Sequence, residues 1–182
     1  MNKRDKNKAL KVAFCGITAA LGAGVMLAGG LFGVMTYAAP LIAALFLIPV
    51  DREFGGGAAM LAYLATAVVT ALLSPDKELA FFYAFIGYYP VLKRLIDRLP
   101  LRLVRFIIKL VFFASSLAVM YLALIFLFKL PAVLGEIEES GLVLWLALDS
   151  ALLLILMLWD VIVRLTRIFY ELKLRPKLKF VK

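Results

Sequence analysis

The chain has 182 residues, 65% of them hydrophobic, with a mean hydropathy of +1.01 and a formal net charge of +9. Soluble domains are only about 45–50% apolar, so we expect an all-α integral membrane protein forming one domain. The chain has no histidine and one cysteine, Cys15, which excludes intrachain disulfides, His or Cys metal clusters, and Ser-His or Cys-His catalysis. No GxxxxGK[ST] phosphate loop is present. We therefore predict a protein that is not an enzyme and uses no cofactor or metal.

Hydropathy divides the chain into a basic N-terminus (1–11), an apolar region (12–163) and a basic tail (164–182). Charged or proline-containing turns divide the apolar region into six segments, each predicted to be a membrane-spanning helix. They cover 12–34, 35–50, 55–73, 79–92, 103–128 and 142–163. A basic start followed by an apolar run is also typical of a signal peptide. The first run is longer than a signal peptide needs, and further apolar segments follow, so we favour a span.

The distribution of lysine and arginine predicts the orientation of the six helices. With a cytoplasmic N-terminus, the cytoplasmic segments are 1–11, 51–54, 93–109 and 164–182. They contain every Lys and Arg of the 21 except Lys77 and Lys129. This asymmetry follows the positive-inside rule, so we predict a multi-pass protein of the cell membrane with both termini in the cytoplasm. We interpret the positive charge as a signal of membrane topology rather than of nucleic-acid binding.

Small residues recur every four positions along the first predicted helix. Side chains at this spacing share one helix face, and small ones allow a second helix to approach closely. This face is predicted either to dock a partner subunit or to pack inside the protein's own bundle. The candidate docking residues are Gly16, Ala19, Ala20, Ala23 and Gly24.

Aromatic residues and a proline mark the fourth predicted helix, which reads FFYAFIGYYP. Pro90 is expected to kink this helix about one turn earlier. Tyr83, with Tyr121 from the fifth helix, is a candidate for lining a ligand pocket beside the kink. The tyrosines fit an interfacial aromatic belt equally well.

The sixth predicted helix carries two carboxylates, Asp149 and Asp160. Charged residues at membrane depth are costly and usually face protein or a cavity. Asp149 and its neighbour Ser150 are predicted either to contact a ligand or, for Asp149, to bond a serine of the fifth helix. Asp160 is predicted to form a structural i,i+4 pair with Arg164.

Two connecting regions carry most of the remaining charge. The segment 129–141 is predicted to be an acidic loop, either solvated or acting as a lid. The basic connector 93–105 and the tail 173–182 are predicted to lie against anionic lipids of the inner leaflet.

This layout resembles the substrate-binding S components of energy-coupling factor (ECF) vitamin transporters. The resemblance is carried by six spans, a basic start, the Gly16–Ala20–Gly24 ridge, and the hairpin LIAALFLIPVDREFGGGAAMLAYLATAVV. It implies that the ridge docks on a membrane coupling subunit, which works with ABC-type ATPases. It also implies that a small vitamin-like ligand binds among the later helices, near Asp149, Tyr83 and Tyr121. The loop after helix one, which covers the ligand in that family, is only a few residues long here.

A second hypothesis is a non-transporting scaffold of the MreD type, which would use the same helix faces to hold other membrane proteins in cell-shape or envelope assembly. A water-filled cavity at Asp149 would favour the transporter. A filled bundle with an exposed Gly/Ala groove would favour the scaffold. A lipid-modifying enzyme is disfavoured, because Asp149 and Asp160 are about 16 Å apart along a helix and no nucleophile–base pair is visible.

Overall fold

A computed structural model describes residues 3–32, 35–128 and 131–177, with side chains at Asp5 and over 8–31, 35–123 and 147–177. Within these ranges the chain is helical and contains no strand, as the hydropathy pattern predicts. The α-helices are α1 (Lys3–Phe32), α2 (Ala38–Leu45), α3 (Leu47–Phe54), α4 (Gly56–Leu73), α5 (Lys77–Ile86), α6 (Tyr89–Ile96), α7 (Arg102–Phe128) and α8 (Pro131–Phe169). A π-helical turn (Tyr170–Leu174) and a 3₁₀ turn (Arg175–Lys177) follow α8.

Among the described residues, four helical segments are long and apolar enough to cross a membrane. They are Lys8–Leu31, Gly56–Leu73, Lys77–Ile96 and Arg102–Ala123. Their outer faces carry exposed large apolar side chains, such as Leu61 (64% exposed) and Leu103 (71% exposed). Such faces fit a lipid environment, in which apolar side chains need no burial by protein. The described helices are therefore compatible with a membrane protein.

Two of the predicted spans are each divided into a pair of short helices. Segment 35–50 becomes α2 and α3, which meet at Phe46. Segment 79–92 becomes parts of α5 and α6, with the break at Gly87 and Tyr88, close to where Pro90 predicts a kink. A Cβ atom at Gly87 would lie 2.5 Å from the Tyr83 carbonyl oxygen, so this break needs a glycine.

Helix α1 packs against α2 and α4, and α4 also contacts α3. Helix α7 lies between α5 and α8 and contacts both. At one end of the bundle, Phe14 of α1 contacts Phe54 of α3 with ring centroids 5.6 Å apart. At the same end, Tyr170, after α8, donates to Glu53 of α3 at 3.1 Å. We call this end of the bundle, where Phe14, Phe54 and Tyr170 lie, the basic end. It also contains the turn at Gly55, whose φ of +85° favours glycine.

The opposite end is closed by contacts between the α1–α2 and α4–α5 connections. Thr36 donates a hydrogen bond to Asp76 at 2.8 Å, and Tyr37 donates to Glu78 at 2.5 Å. Asp76 also accepts from the backbone N–H of Leu79 at 3.1 Å, which caps the N-terminus of α5. The long-range hydrogen bonds therefore tie the two connections together.

The predicted acidic loop at 129–141 is wrong for the part that the structure describes, because α8 already begins at Pro131. With 39 residues, α8 is about 58 Å long at 1.5 Å per residue, nearly twice the hydrocarbon thickness of a bilayer. Glutamate is a good helix former, so glutamates 136, 138 and 139 do not interrupt the helix. Their side chains, and the lid prediction that depends on them, lie outside the described residues.

Candidate functional site

Three helices meet at a buried group of charges near the basic end. Asp160 of α8 accepts hydrogen bonds from Tyr89 Oη at 2.5 Å, from Lys109 Nζ at 2.8 Å and from Lys93 Nζ. Asp97 lies 3.8 Å from the Lys93 ammonium and 3.4 Å from that of Lys109. We call these five residues the Asp160 cluster. Its two lysines and two aspartates balance in charge.

The Asp160 cluster packs against aromatic rings on one side and borders a cavity on another. Lys93 is 1% exposed, and the side chain of Asp160 is 16% exposed. The ring of Tyr89 packs 4.6 Å from Phe113 and 5.5 Å from Trp159, measured between ring centroids. A charge in such surroundings is tolerated only with its partners present. The cluster therefore fixes α6, α7 and α8 relative to one another.

The predicted pairing of Asp160 with Arg164 is wrong. The carboxylate of Asp160 faces α6 and α7, where Lys93 and Lys109 contact it, and Arg164 is exposed. An i,i+4 pair on a helix surface contributes only about 0.2–0.5 kcal/mol. Two enclosed ammonium groups from neighbouring helices compete successfully for the same carboxylate.

A second group of charges joins α3 to α6 and α8. Asp51 is 2% exposed and lies 3.1 Å from Arg94 and 3.6 Å from Arg167. Arg167 also donates to the Pro90 carbonyl at 2.8 Å. We call Asp51, Arg94 and Arg167 the Asp51 cluster. Because α6 contributes Lys93 to one cluster and Arg94 to the other, it connects both.

The segment after α8 adds further contacts to α3. Glu53 accepts from Tyr170 and lies 3.0 Å from Arg175. Burial, together with the nearby charge of Glu53, raises the pKa of Tyr170 to about 12, so the phenol stays protonated as a donor. This part of the predicted basic tail packs on the protein.

Asp149 and Tyr121, two of the predicted ligand contacts, line one pocket of about 270 Å³ between α7 and α8. The remaining walls are apolar and come from both helices: Ala114, Leu117, Ala118, Leu122 and Leu153. Oδ1 of Asp149 is buried and has no hydrogen-bond partner within the described chain. The alternative bond to a serine of α7 is not formed, since Ser115 donates to the Phe112 carbonyl instead. The carboxylate is therefore available to a ligand.

The other two predicted ligand contacts lie elsewhere. Tyr83 is fully buried in the core, with its ring centroid 5.5 Å from that of Tyr63. Ser150 is exposed and donates to the carbonyl of Ala147 at 2.8 Å. Consecutive helical residues point about 100° apart, so Ser150 is directed away from the pocket that Asp149 lines. Of the four predicted ligand contacts, the structure therefore brings Asp149 and Tyr121 together and places Tyr83 and Ser150 away from them.

The small residues of α1 divide between two faces. Gly16, Ala20 and Gly24 are exposed, and a Cβ at Gly16 or Gly24 would meet no atom within 4 Å. Ala23, in contrast, is buried, and the carbonyl of Ala19 accepts a hydrogen bond from Thr66 at 3.4 Å. Three residues of the predicted ridge therefore face outward, and the other two, Ala19 and Ala23, lie beside them on the side that packs against the bundle.

Internal packing of α1 depends on two glycines that the ridge did not include. A Cβ at Gly22 would lie 3.2 Å from Thr66 of α4, and one at Gly29 would lie 2.4 Å from the Cβ of Ala39 in α2. The close approaches within the bundle thus lie on a different face from Gly16, Ala20 and Gly24. The prediction that this ridge packs inside the protein's own bundle fails for these three residues.

The Asp160 cluster was missed from the sequence because Lys93 and Lys109 were counted as cytoplasmic charges. One signal was available: Lys109 lies inside the apolar run 103–128. A lone lysine in such a run needs a buried partner, and Asp160 is the carboxylate at the matching depth of the next helix.

Comparison of the chain with models of known protein families, with curated proteins and with solved structures gave no match. In the described part of the chain, no group of three or more His, Cys, Asp or Glu side chains is placed to hold a metal ion. Functional inference therefore depends on the geometry of three features: the Asp149 pocket, the outward face of α1 and the charged basic end.

We predict that Asp160→Asn destabilises the protein by about 3 kcal/mol or more, because it leaves two enclosed ammonium groups without their main partner. The measurement is the free energy of unfolding in detergent, followed by SDS titration. Glu171→Gln is the control: its pair with Arg52, at 2.9 Å, is partly exposed and should contribute at most about 1 kcal/mol.

The double variant Asp160→Leu with Lys93→Met removes one charge of each sign and leaves Lys109 beside Asp97. It should be less destabilised than Asp160→Asn alone, as expected for coupled residues. An Asp160→Asn variant as stable as Glu171→Gln would show that the cluster does not hold the helices together.

Proposed function

We propose that the chain is a six-span protein of the cell membrane, with both termini cytoplasmic, that acts as the substrate-binding subunit of an ECF-type transporter. It would take up a small vitamin-like molecule together with a membrane coupling subunit and ABC-type ATPases. The observation that carries the proposal is the outward face of α1, where Gly16, Ala20 and Gly24 are exposed and a Cβ at Gly16 or Gly24 would meet no atom within 4 Å.

The proposed six crossings are α1, the pair α2–α3, α4, the pair α5–α6, α7 and α8. An even number of crossings brings the two chain ends to one side. Contacts of Phe14 and Tyr170 with the end of α3 support this arrangement. Concentration of the described lysines and arginines at that end supports a cytoplasmic location for it.

The proposed docking of a partner follows from helix packing in lipid. Membrane helices associate by close van der Waals contact, which small residues permit. Apolar side chains such as Ile17 (61% exposed) and Leu21 (54% exposed) border the face. A partner helix would therefore find a shallow groove with apolar edges on α1.

The proposed ligand site is the Asp149 pocket. In it, an unpartnered carboxylate oxygen and Tyr121 face an otherwise apolar space of about 270 Å³. This combination fits a small molecule with a flat apolar part and a polar donor group. Asp149 would fix the donor, and Tyr121 would contact the flat part.

For docking, we predict that Ala20→Leu abolishes co-purification of the coupling subunit and ATPases from the native host in mild detergent. The larger side chain would fill the groove that the partner helix needs. Ala65→Leu makes the same change at an exposed position of α4 and should leave co-purification intact. Equal recovery of partners with both variants would contradict the assignment of this face.

For ligand binding, we predict that Asp149→Asn weakens binding about tenfold or more, because a hydrogen bond to a charged group is lost. Thermal-shift screening of the purified protein against water-soluble vitamins identifies the ligand, and titration of both forms gives the affinities. The melting temperature without ligand should stay the same, since Asp149 has no hydrogen-bond partner among the described residues. Unchanged affinity in the folded variant would contradict this role.

The second candidate function is a membrane scaffold of the MreD type. The packing around Tyr83 favours it, because the predicted aromatic pocket there is filled by protein side chains. Co-purification separates the two candidates. Recovery of a coupling subunit with ATPases supports the transporter, whereas cell-wall or division proteins without an ATPase support the scaffold.

A further inference from the structure

A second, larger cavity of about 1020 Å³ lies at the basic end, between the first turns of α7 and the last turns of α8. It is separate from the Asp149 pocket, with which it shares no lining residue. Five basic side chains line it: Lys93, Arg102, Arg105, Lys109 and Arg164. Two carboxylates, Asp97 and Asp160, line it as well.

The charges in this cavity do not balance. Lys93 and Lys109 are neutralised by the two carboxylates within the Asp160 cluster. The remaining arginines form no ion pair with any described side chain. Nε of Arg105 is buried and has no hydrogen-bond partner in the described structure. Three guanidinium groups, those of residues 102, 105 and 164, therefore face the cavity without a counter-charge.

The position of two of these arginines on α7 adds to the imbalance. Arg102 and Arg105 occupy the first turn, and α7 has no acidic residue there. The N-terminus of a helix carries partial positive charge and normally attracts acidic side chains. Arginines at this place repel the helix end and one another unless an anion lies between them. The arrangement favours the binding of an anion beside these arginines.

The apolar wall of the cavity indicates what kind of anion would bind. Phe106, Leu154 and Leu158 line the cavity and are 54%, 66% and 67% exposed. On helices of a membrane protein, such exposed apolar side chains face lipid. The cavity therefore joins a cationic floor to an apolar side wall, which matches a molecule with an anionic head and a hydrocarbon chain.

We propose that this cavity binds the phosphate head of an anionic membrane lipid, with its acyl chain along Phe106, Leu154 and Leu158. The planar fork of arginine matches phosphate oxygens by paired hydrogen bonds, and basic pockets between membrane helices bind such head groups. A water-soluble phosphate would use the arginines but not the apolar wall. The proposal requires only that the helices lie in a membrane, and it holds for either candidate function.

The test uses the full-length purified protein, titrated with phosphatidylglycerol or phosphatidylcholine and analysed by native mass spectrometry. The wild-type protein should retain phosphatidylglycerol preferentially. In the triple variant Arg102→Gln, Arg105→Gln and Arg164→Gln, binding of phosphatidylglycerol should be about 100-fold weaker.

A control removes two exposed cations outside the cavity, the connector 93–105 and the tail 173–182: Lys8→Gln and Lys11→Gln. Its binding of phosphatidylglycerol should equal that of the wild type. If size-exclusion chromatography shows that the cavity variant does not fold, Arg164→Gln alone changes one exposed residue. Its binding should be about fivefold weaker.

Two results would overturn the proposal. Equal loss of phosphatidylglycerol binding in the cavity variant and the control would show general attraction to a basic surface rather than a site. Displacement of the lipid by an excess of inorganic phosphate would show that the cavity serves a soluble phosphate ligand. Retention of phosphatidylglycerol in the presence of phosphate, with loss only in the cavity variant, is the expected result.

Discussion

The structure depends on one carboxylate, that of Asp160, which lies between two lysines and a tyrosine from neighbouring helices. In membrane helices the hydrophobic effect does not drive association, because lipid is as apolar as the side chains. Specific polar contacts and close packing must then determine which helices meet. The Asp160 cluster supplies such a contact for α6, α7 and α8, and the Asp51 cluster extends it to α3. Both groups of charge lie at the basic end.

The interior of the bundle is occupied by tightly packed aromatic rings, and the candidate functional features lie at its periphery, where the basic cavity borders the Asp160 cluster. The Asp149 pocket and the basic cavity are both between α7 and α8, but at different heights along them. The outward face of α1 carries Gly16, Ala20 and Gly24, whereas Gly22 and Gly29 lie on the side that packs against the bundle. A partner docking on α1 would therefore not compete with internal packing for the same small residues.

Hydropathy and turn residues predicted the helical segments well, because lipid requires long apolar runs and proline limits where a helix continues. The break near Pro90 was likewise predictable from the sequence. The ion-pair partners of Asp160 could not be predicted from the sequence. The i,i+4 spacing indicates Arg164, whereas the observed partners, Lys93 and Lys109, are 67 and 51 residues away. The direction of Tyr83 also depends on packing between helices, which a residue pattern along one helix does not encode. The spacing of small residues in α1 predicted a helix face, but it did not indicate which of these residues point outward.

In the proposed topology, the charged basic end of the bundle lies in the cytoplasm. The most direct measurement is cysteine accessibility in intact cells. Cys15, the only cysteine, is replaced by alanine, and single cysteines are placed at Lys8, Lys77 or Arg98. A membrane-impermeant maleimide should label the cysteine at position 77 in intact cells, and those at 8 and 98 only after the membrane is permeabilised. Labelling of position 98 in intact cells, on the same side as position 77, would contradict the account.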